Sequence, residues 1–310
     1  MTTTQVGDIG PHTLTDEVIR SLQNTPDART KTILTSLVHH LHDFVRDIEP
    51  SFAEWATAIG FLTEVGQKCD PARQEFVLLS DVLGVSMLVE TINDQQAPGA
   101  TDSTVLGPFH MTESPRRRLG DTIDEAGSSH ELVIVGTVSS TTGQLLAHAT
   151  VDVWQCNEDG FYDVQQPDIQ PAGNGRGLFT TDAQGRFWFS TVKPSHYPIP
   201  TDGPVGTLLD ATRRHPYRPA HVHFIANAAE HRPLTTHIFV PESPYLDSDA
   251  VFAVKRSLIG ELGTVDAVDA PRFGVNPGTL SATVDLVLAP AHLDGPSAGR
   301  TSPMLNEEFS

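Results

Sequence analysis

The sequence predicts an α+β protein in which an N-terminal all-helical domain is followed by an antiparallel β-sandwich. Apolar residues recur at three- and four-residue steps as far as about residue 93, which is the period of an amphipathic helix. Beyond residue 103 they fall in short β-branched or aromatic runs that Gly-, Pro- and Asp-rich turns separate. This change of period favours an antiparallel sandwich over alternating βαβ units.

A change of composition marks the expected domain boundary. Residues 95–103 consist mainly of Gln, Pro, Gly, Ala and Asp, which is typical of a linker. We therefore expect an N-terminal arm and helical domain over residues 1–103 and the sandwich over residues 104–295. Residues 296–310 are rich in Ser, Pro and Gly and end in acidic residues, which predicts a mobile acidic tail.

Four helices are expected before the linker, and prolines and capping residues set their limits. The first helix begins near Thr13 or Thr15 and ends before Pro26, and the second carries an apolar stripe from Ile33 to Ile48. The third is capped by Ser51. The fourth begins at Asp70-Pro71 and ends near Asn93. The apolar stripes of these helices indicate core or subunit contacts rather than a cofactor site.

Six runs in the second half of the chain have strand character. They cover residues 131–138, 149–155, 186–191, 220–226, 234–240 and 282–288. One helix, from about Ser248 to Glu261, is expected to interrupt them.

Charge and composition exclude several classes of partner. The 310-residue chain carries a formal net charge of -19, which argues against nucleic acid or an anionic membrane surface as a partner. The N-terminus lacks a secretory signal and no run has the length of a membrane span, so we expect a cytoplasmic protein. In that reducing compartment Cys69 and Cys156 are expected to be free thiols.

A possible metal site begins with His221 and His223. Side chains alternate across a strand, so both imidazoles point to one face while Val222 points to the other. Tyr162 and Tyr197 lie in turn-rich loops and offer phenolate oxygens. Two phenolates and two imidazoles suit ferric iron, whereas zinc more often takes histidine with carboxylate or cysteine.

These residues stand in motifs that resemble the intradiol ring-cleaving dioxygenases, over about residues 15 to 290. The motifs cover residues 151–162, 177–186, 197–206, 218–223 and 234–240. The resemblance implies a homodimer formed through the helical domain, often with lipid between the subunits. It also implies an enzyme that uses O2 and a small aromatic diol or triol.

The resemblance implies the roles of the site residues. One Fe(III) per subunit would be held by Tyr162, Tyr197, His221 and His223, with Tyr197 as the axial phenolate that leaves on substrate binding and accepts a proton. Arg218 matches the family arginine that stabilises negative charge on the substrate ring. These implications make Tyr197 and Arg218 the expected catalytic residues.

Several segments resemble the hydroxyquinol branch more than the catechol branches. They are residues 104–109, 160–165 and 245–251. Asp81, on a predicted helix, is expected to accept a hydrogen bond from the third hydroxyl of benzene-1,2,4-triol, which catechol lacks. The expected substrate pocket also contains Arg218, His237 and an apolar wall of Leu78, Val105, Leu106, Gly107, Pro108, Phe109, Ile199, Pro200 and Val251. Many catechol enzymes have Gln where this chain has His237.

The expected function is therefore hydroxyquinol 1,2-dioxygenase, which yields 3-hydroxy-cis,cis-muconate or its keto form, maleylacetate. Catechol or chlorocatechol 1,2-dioxygenase, yielding cis,cis-muconate, is the near alternative. Two other classes remain: a zinc amidohydrolase, whose His-x-His usually comes early in a βα barrel, and a metal-free β-sandwich binding module. The colour of tyrosinate bound to ferric iron separates these classes.

Overall fold

The computed structural model describes residues 9–70, 73–94, 98–110, 113–127 and 131–291. The predicted tail at residues 296–310 lies outside the described residues, as does most of the predicted N-terminal arm. By compactness the chain divides into two units, residues 1–63 and 64–310. The domain boundary expected at residue 103 remains a prediction.

The first unit contains α1 (Leu14–Ser21), α2 (Ala28–Ile48) and most of α3 (Phe52–Gln67). Ser51 caps α3 as predicted, because its hydroxyl accepts the Glu54 N–H while the Glu54 carboxylate accepts the Ser51 N–H, at 3.3 and 2.8 Å. No residue of α2 is buried in the single chain. Its exposed apolar side chains are Ile33, Leu37, Leu41, Phe44, Val45 and Ile48.

The expected fourth helix is wrong in its length, because two helices occupy that segment. They are α4 (Glu75–Val82) and α5 (Val85–Asp94) in the second unit. Between them Gly84 has a φ of +72°, a left-handed conformation that ends α4 and that residues other than glycine rarely adopt. The apolar period continues across this break, which is why periodicity alone did not reveal it.

Two four-stranded sheets form the sandwich of the second unit. One has the order β4 (Arg186–Val192), β1 (Glu131–Ser140), β10 (Leu280–Leu288), β9 (Glu261–Thr264). The other has the order β3 (Arg176–Thr180), β2 (Thr150–Trp154), β7 (His221–Asn227), β8 (Leu234–Phe239). Every pair in these sheets is antiparallel except β1 with β10, which is parallel. The predicted fold class is confirmed.

A two-stranded ribbon and two short α-helices also belong to this unit. The ribbon pairs β5 (Tyr197–Pro198) with β6 (Tyr217–Arg218), so that Tyr197 lies opposite Arg218. The helices are α6 (Pro204–Ala211) and α7 (Ala270–Phe273). Sequence patterns did not predict β3, β5, β6, β9, α6 or α7, since most of them are too short to show a period.

Strand β7 separates an apolar core from a polar cluster. Val222, Phe224 and Ala226 point between the sheets, where they join side chains such as Phe179 and Phe187 in a fully buried core. His221 and His223 alternate with them and point to the opposite face, where they are also buried. The fold therefore buries both faces of β7.

The helix expected over residues 248–261 is wrong. This segment contains irregular turns, a short 3-10 helix at Arg256–Leu258 and the start of β9. The Asp249 carboxylate accepts the backbone N–H groups of Val251 and Ala253, and Phe252 has a φ of +59°. Such side-chain bonds and a left-handed residue compete with helical hydrogen bonding. Among the described residues no helix has the length and apolar character to cross a membrane.

Candidate metal centre

Four predicted donor residues come together in one buried cluster. His221 and His223 lie on β7, Tyr197 lies on the ribbon strand β5, and Tyr162 lies in the loop after β2. Their exposed fractions are 2% or less. Since these residues come from three separate segments, the sandwich and its loops bring the donors together.

Three donor atoms of the cluster lie within contact distance of a neighbouring donor, and the Tyr197 ring packs against that of Tyr162. The Nε2 atoms of His221 and His223 are 3.1 Å apart, and the Tyr162 hydroxyl lies 3.0 Å from His223 Nε2. The rings of Tyr162 and Tyr197 meet edge to face with centroids 5.5 Å apart. The arrangement brings two imidazole nitrogens and the Tyr162 oxygen together, with the Tyr197 ring packed against that of Tyr162.

The protonation of the cluster suits a bound cation. Burial lowers the pKa of both His221 and His223 well below the usual range, so both imidazoles are neutral. The Nδ1 of His221 lies 2.7 Å from the Pro219 carbonyl and therefore carries the proton, which leaves a lone pair on Nε2. Burial also raises the pKa of Tyr162 and Tyr197, so that a phenolate here requires a compensating positive charge. The residues present thus fit a metal ion.

His237 is a third buried histidine in the same cluster. It faces His223 across the β7–β8 pair, and the ring nitrogens of His221, His223 and His237 lie within 4.8 Å of one another. Arg218 approaches both His237 Nδ1, at 3.2 Å, and His221 Nε2, at 3.3 Å, while His237 Nε2 is buried without a hydrogen-bond partner. That the two tyrosines, rather than His237, complete the donor set with His221 and His223 remains a prediction.

Arg218 brings a buried positive charge to the cluster. Its Nη1 lies 3.4 Å from the Tyr197 hydroxyl and 3.3 Å from His221 Nε2. Burial alone would lower the pKa of this guanidinium, but the charge and hydrogen bond of Asp249 and the oxygens of Tyr197 and Tyr162 together outweigh burial, and the net pKa is raised. Arg218 is therefore charged at every physiological pH, as a residue that stabilises an anion requires.

Aromatic rings hold the donors in place. Phe109 stacks on Tyr162 with centroids 4.5 Å apart, and the fully buried Trp154 stacks on His223 at the same distance. Stacked rings restrict the rotation of the tyrosine and of the imidazole. Only Phe109 among these packing residues belonged to the predicted pocket.

Five of the predicted substrate-binding residues line a cavity of about 580 Å³. They are Asp81, Val105, Leu106, Gly107 and Pro108. A Cβ atom on Gly107, whose φ is +80°, would lie 3.1 Å from the His223 ring, so the cavity wall directly adjoins the donor cluster. Asp81 is 4% exposed, and burial raises its pKa.

Four other predicted pocket residues lie on α4, which carries Leu78, or in loops, which carry Ile199, Pro200 and Val251. Leu78, Ile199 and Val251 are buried, whereas Pro200 is half-buried. None of these four borders the 580 Å³ cavity. Their place in a substrate pocket remains a prediction.

Sequence reasoning missed two buried ion pairs beside the donors. Asp163, next to Tyr162, accepts hydrogen bonds from Arg176 at 2.7 and 2.8 Å, and Asp249 pairs with Arg218 at 3.2 Å. Asp249 stands in the segment that was expected to be helical. The signal that could have revealed Asp249 was its acidic side chain within residues 245–251, a segment that resembles the hydroxyquinol branch.

Comparisons with known proteins agree with this geometry. The family model described as "Dioxygenase" matches residues 107–290, and the one described as "Catechol dioxygenase N terminus" matches residues 27–101. The hydroxyquinol 1,2-dioxygenase of a Rhizobium species is 49% identical over 276 residues, which cover 88% of this chain and 94% of that protein. The 6-chlorohydroxyquinol 1,2-dioxygenase of Cupriavidus pinatubonensis is 48% identical, with 81% and 90% covered.

A solved structure is similar over nearly its whole length. The crystal structure of hydroxyquinol 1,2-dioxygenase from Pseudomonas putida superimposes with a TM-score of 0.84 at 44% identity. The match covers 90% of this chain and 98% of that one. The family expected from the motifs is therefore confirmed: the chain belongs to the intradiol ring-cleaving dioxygenases, in their hydroxyquinol branch.

Proposed function

We propose that this protein is a ferric-iron-dependent intradiol dioxygenase that cleaves hydroxyquinol between its adjacent hydroxyl-bearing carbons. Two atoms of O2 enter the product, 3-hydroxy-cis,cis-muconate, whose keto form is maleylacetate. The observation that carries this proposal is the convergence of two phenols and two neutral imidazoles beside the buried Arg218. The similarity to hydroxyquinol-cleaving relatives supports the substrate.

Tyr162, Tyr197, His221 and His223 would hold one Fe(III) in each subunit. When bound, ferric iron supplies Lewis acidity, which favours the deprotonated diol and prepares its ring for reaction with O2. The two neutral imidazoles contribute lone pairs without adding charge, and the two phenolates lower the net charge of the centre. Removing either kind of donor therefore weakens iron binding.

Tyr197 is the residue that moves a proton in this proposal. Its hydroxyl lies at the edge of the cluster, beside the Arg218 guanidinium. Burial raises the pKa of this phenol, so Tyr197 favours the protonated state once its oxygen no longer faces a metal ion. The Tyr197 oxygen is thus suited to accept a proton from a substrate hydroxyl.

Arg218 stabilises the negative charge that the deprotonated substrate brings into the site. The guanidinium stays protonated, and Nη1 is the nitrogen that faces the donor cluster. In a buried site, where water does not screen the charge, such a fixed cation acts strongly on a developing anion. Stacking of Phe109 on Tyr162 helps to exclude water from that side.

Asp81 would select the triol over the diol. Its buried carboxylate borders the cavity next to Gly107, and Gly107 adjoins His223. A carboxylate that accepts a hydrogen bond from the third hydroxyl loses this partner when catechol binds, and an unpaired buried group is costly. Burial raises the pKa of Asp81, while a hydrogen bond with Ser86 and the charge of Arg218 act in the opposite direction.

A homodimer is proposed from the exposed apolar side chains of the first unit. In α3 these include Phe52, which is 92% exposed, and Trp55, which is 59% exposed. Together with the exposed stripe of α2 they give the first unit many exposed apolar side chains, which a second subunit would cover. Lipid between the subunits, as in the family, would cover the same kind of surface. Sedimentation equilibrium measures the mass of the assembly, and a monomer at micromolar concentration would contradict the dimer.

Oxygen consumption tests the reaction. The iron-loaded protein is mixed with hydroxyquinol, catechol and 4-chlorocatechol, and an enzyme-free sample corrects for autoxidation. We expect a red-brown protein that consumes one O2 per hydroxyquinol and prefers this substrate. A folded, colourless protein that binds no iron would exclude the proposal, whereas a preference for catechol or chlorocatechol would change only the substrate.

Replacing Asp81 tests the selectivity. For Asp81→Asn we expect the ratio of kcat/KM for hydroxyquinol to that for catechol to fall by about 10-fold or more, because the strong acceptor is lost. Glu90 borders the same cavity, so Glu90→Gln is the matched control and should change the ratio by less than about threefold. An unchanged ratio in Asp81→Asn would remove Asp81 from the proposal.

A further inference from the structure

Asp249 is a buried carboxylate to which the proposed reaction assigns no role. It is 5% exposed, and its Oδ1 atom accepts a hydrogen bond from Arg218 Nε at 3.2 Å. The Oδ2 atom lies 3.5 Å from Arg218 Nη2, so the carboxylate faces one whole edge of the guanidinium. A bidentate arrangement of this kind fixes direction as well as distance.

The contact with Asp249 determines which nitrogen of Arg218 faces the donor cluster. Asp249 occupies the edge formed by Nε and Nη2, and His237 Nδ1 also approaches Nη2, at 3.2 Å. Only the Nη1 nitrogen points to the Tyr197 hydroxyl and to His221. Because the guanidinium is planar and rigid, holding one edge sets the position of the other.

The same carboxylate shapes the loop that follows it. Asp249 Oδ1 accepts the backbone N–H of Val251 at 3.3 Å, and Oδ2 accepts that of Ala253 at 3.0 Å. These bonds hold the irregular turn around Phe252, whose φ is +59°. Val251 belongs to the predicted apolar wall. One side chain thus links the charged group of the site to the backbone of its wall.

We propose that Asp249 is a positioning residue: it orients the Arg218 guanidinium so that Nη1 faces the reacting ring, and it sets the backbone of Val251 in the pocket wall. The inference rests on the proposed function, because Arg218 must act on the substrate for its orientation to matter. Asp249 does not touch the substrate, and its effect on the reaction passes through Arg218.

The alternative is that the ion pair of Asp249 and Arg218 has only a structural role. A double-mutant cycle distinguishes this alternative from the proposal. The variants are Asp249→Asn, Arg218→Gln and the double replacement, each loaded with iron. If Asp249 acts through Arg218, we expect Asp249→Asn to lower kcat by about 10- to 100-fold in the native background but by less than about threefold when Arg218 is already replaced. Equal losses in both backgrounds would overturn the proposal.

Substrate binding without oxygen provides a readout other than activity. The visible band of the resting protein should be unchanged in Asp249→Asn, since the four donors remain. The dissociation constant of hydroxyquinol, titrated anaerobically, should change by less than about threefold, so that the loss appears in kcat. A loss confined to binding, or a bleached resting band, would contradict a role in orienting Arg218.

Asp182→Asn is the matched control, because Asp182 pairs with Arg186 in a turn that leads into β4 and does not contact the donor cluster. It should leave kcat within about twofold of the native value.

If Asp249→Asn does not fold, Asp249→Glu keeps the charge but displaces the carboxylate, and kcat should still fall. Native kcat in Asp249→Glu would overturn the inference. An inactive native protein would instead refute the proposed function.

Discussion

The two sides of strand β7 are both buried, but one consists of apolar side chains and the other of polar ones. Between the sheets, Val222, Phe224 and Ala226 meet other apolar side chains in a closely packed core. On the other side, His221 and His223 meet phenols and a guanidinium. The first side stabilises the fold through burial of apolar surface.

The polar side is incompletely paired by the protein itself. His223 Nδ1, His237 Nε2 and Trp154 Nε1 are buried without a hydrogen-bond partner. Moreover, the Nε2 lone pair of His221 faces His223 Nε2 at 3.1 Å. Buried polar atoms without a partner lower the stability of the folded protein. The apolar side therefore supports the fold, whereas the polar side carries the groups of the proposed metal site.

The largest effect is expected on the polar side. His223→Leu replaces a donor by an apolar side chain of similar volume, so the protein should fail to hold iron, lose its colour and fall to background activity. Its metal-free form should unfold with a free energy within about 1 kcal/mol of the native metal-free form, since the histidine was incompletely paired. Visible spectra, iron analysis and urea unfolding measure these properties. Retained colour and activity would show that His223 is not required for iron binding.

The matching change on the apolar side is Phe187→Ala. Phe187 is 1% exposed and lies in the sandwich core, so its removal should lower the free energy of unfolding by about 3–5 kcal/mol. Activity per bound iron in the folded protein should stay within about twofold of native, because no donor residue is changed. A variant that is stable but inactive would show that the two sides are not separable.

A smaller effect concerns the two cysteines, both of which are free as predicted. Cys156 lies on the polar side, but burial raises the pKa of its thiol to about 12. Since the thiolate is the reactive form, it should not react with a thiol reagent at pH 8 in the folded protein. Cys69 is half-buried and should react first. Titration should find one thiol before unfolding and two afterwards, and rapid labelling of Cys156 would contradict this.

Local patterns predicted the side-chain alternation along β7 and the positions of two helices. Alternation along a strand was enough to put His221 and His223 on one side and Val222 on the other, and the structure has this arrangement. The helical period likewise located α2 and α3, and the Ser51 cap fixed the start of α3. Each of these inferences depends on residues that are close to one another in sequence.

Patterns failed where distant residues decide the backbone. The segment after Ser248 has apolar residues at helical spacing, but Asp249 turns its carboxylate to nearby N–H groups and to Arg218, which is 31 residues away in sequence. The ribbon that pairs Tyr197 with Arg218 is only two residues long on each side, which is too short for a periodic signal. The break at Gly84 was hidden because apolar residues continue across it.

The sequence by itself determined the fold class and the family motifs, because these depend on local periodicity and on short motifs, and through the family resemblance it also predicted the donor residues. Only the tertiary structure decided that the Arg218 guanidinium lies between Asp249, His237 and Tyr197, and that the wall of the Asp81 cavity adjoins His223 through Gly107. The physical reason is that a buried polar group must find its partners in space, and spacing along the chain does not specify which distant partner it meets.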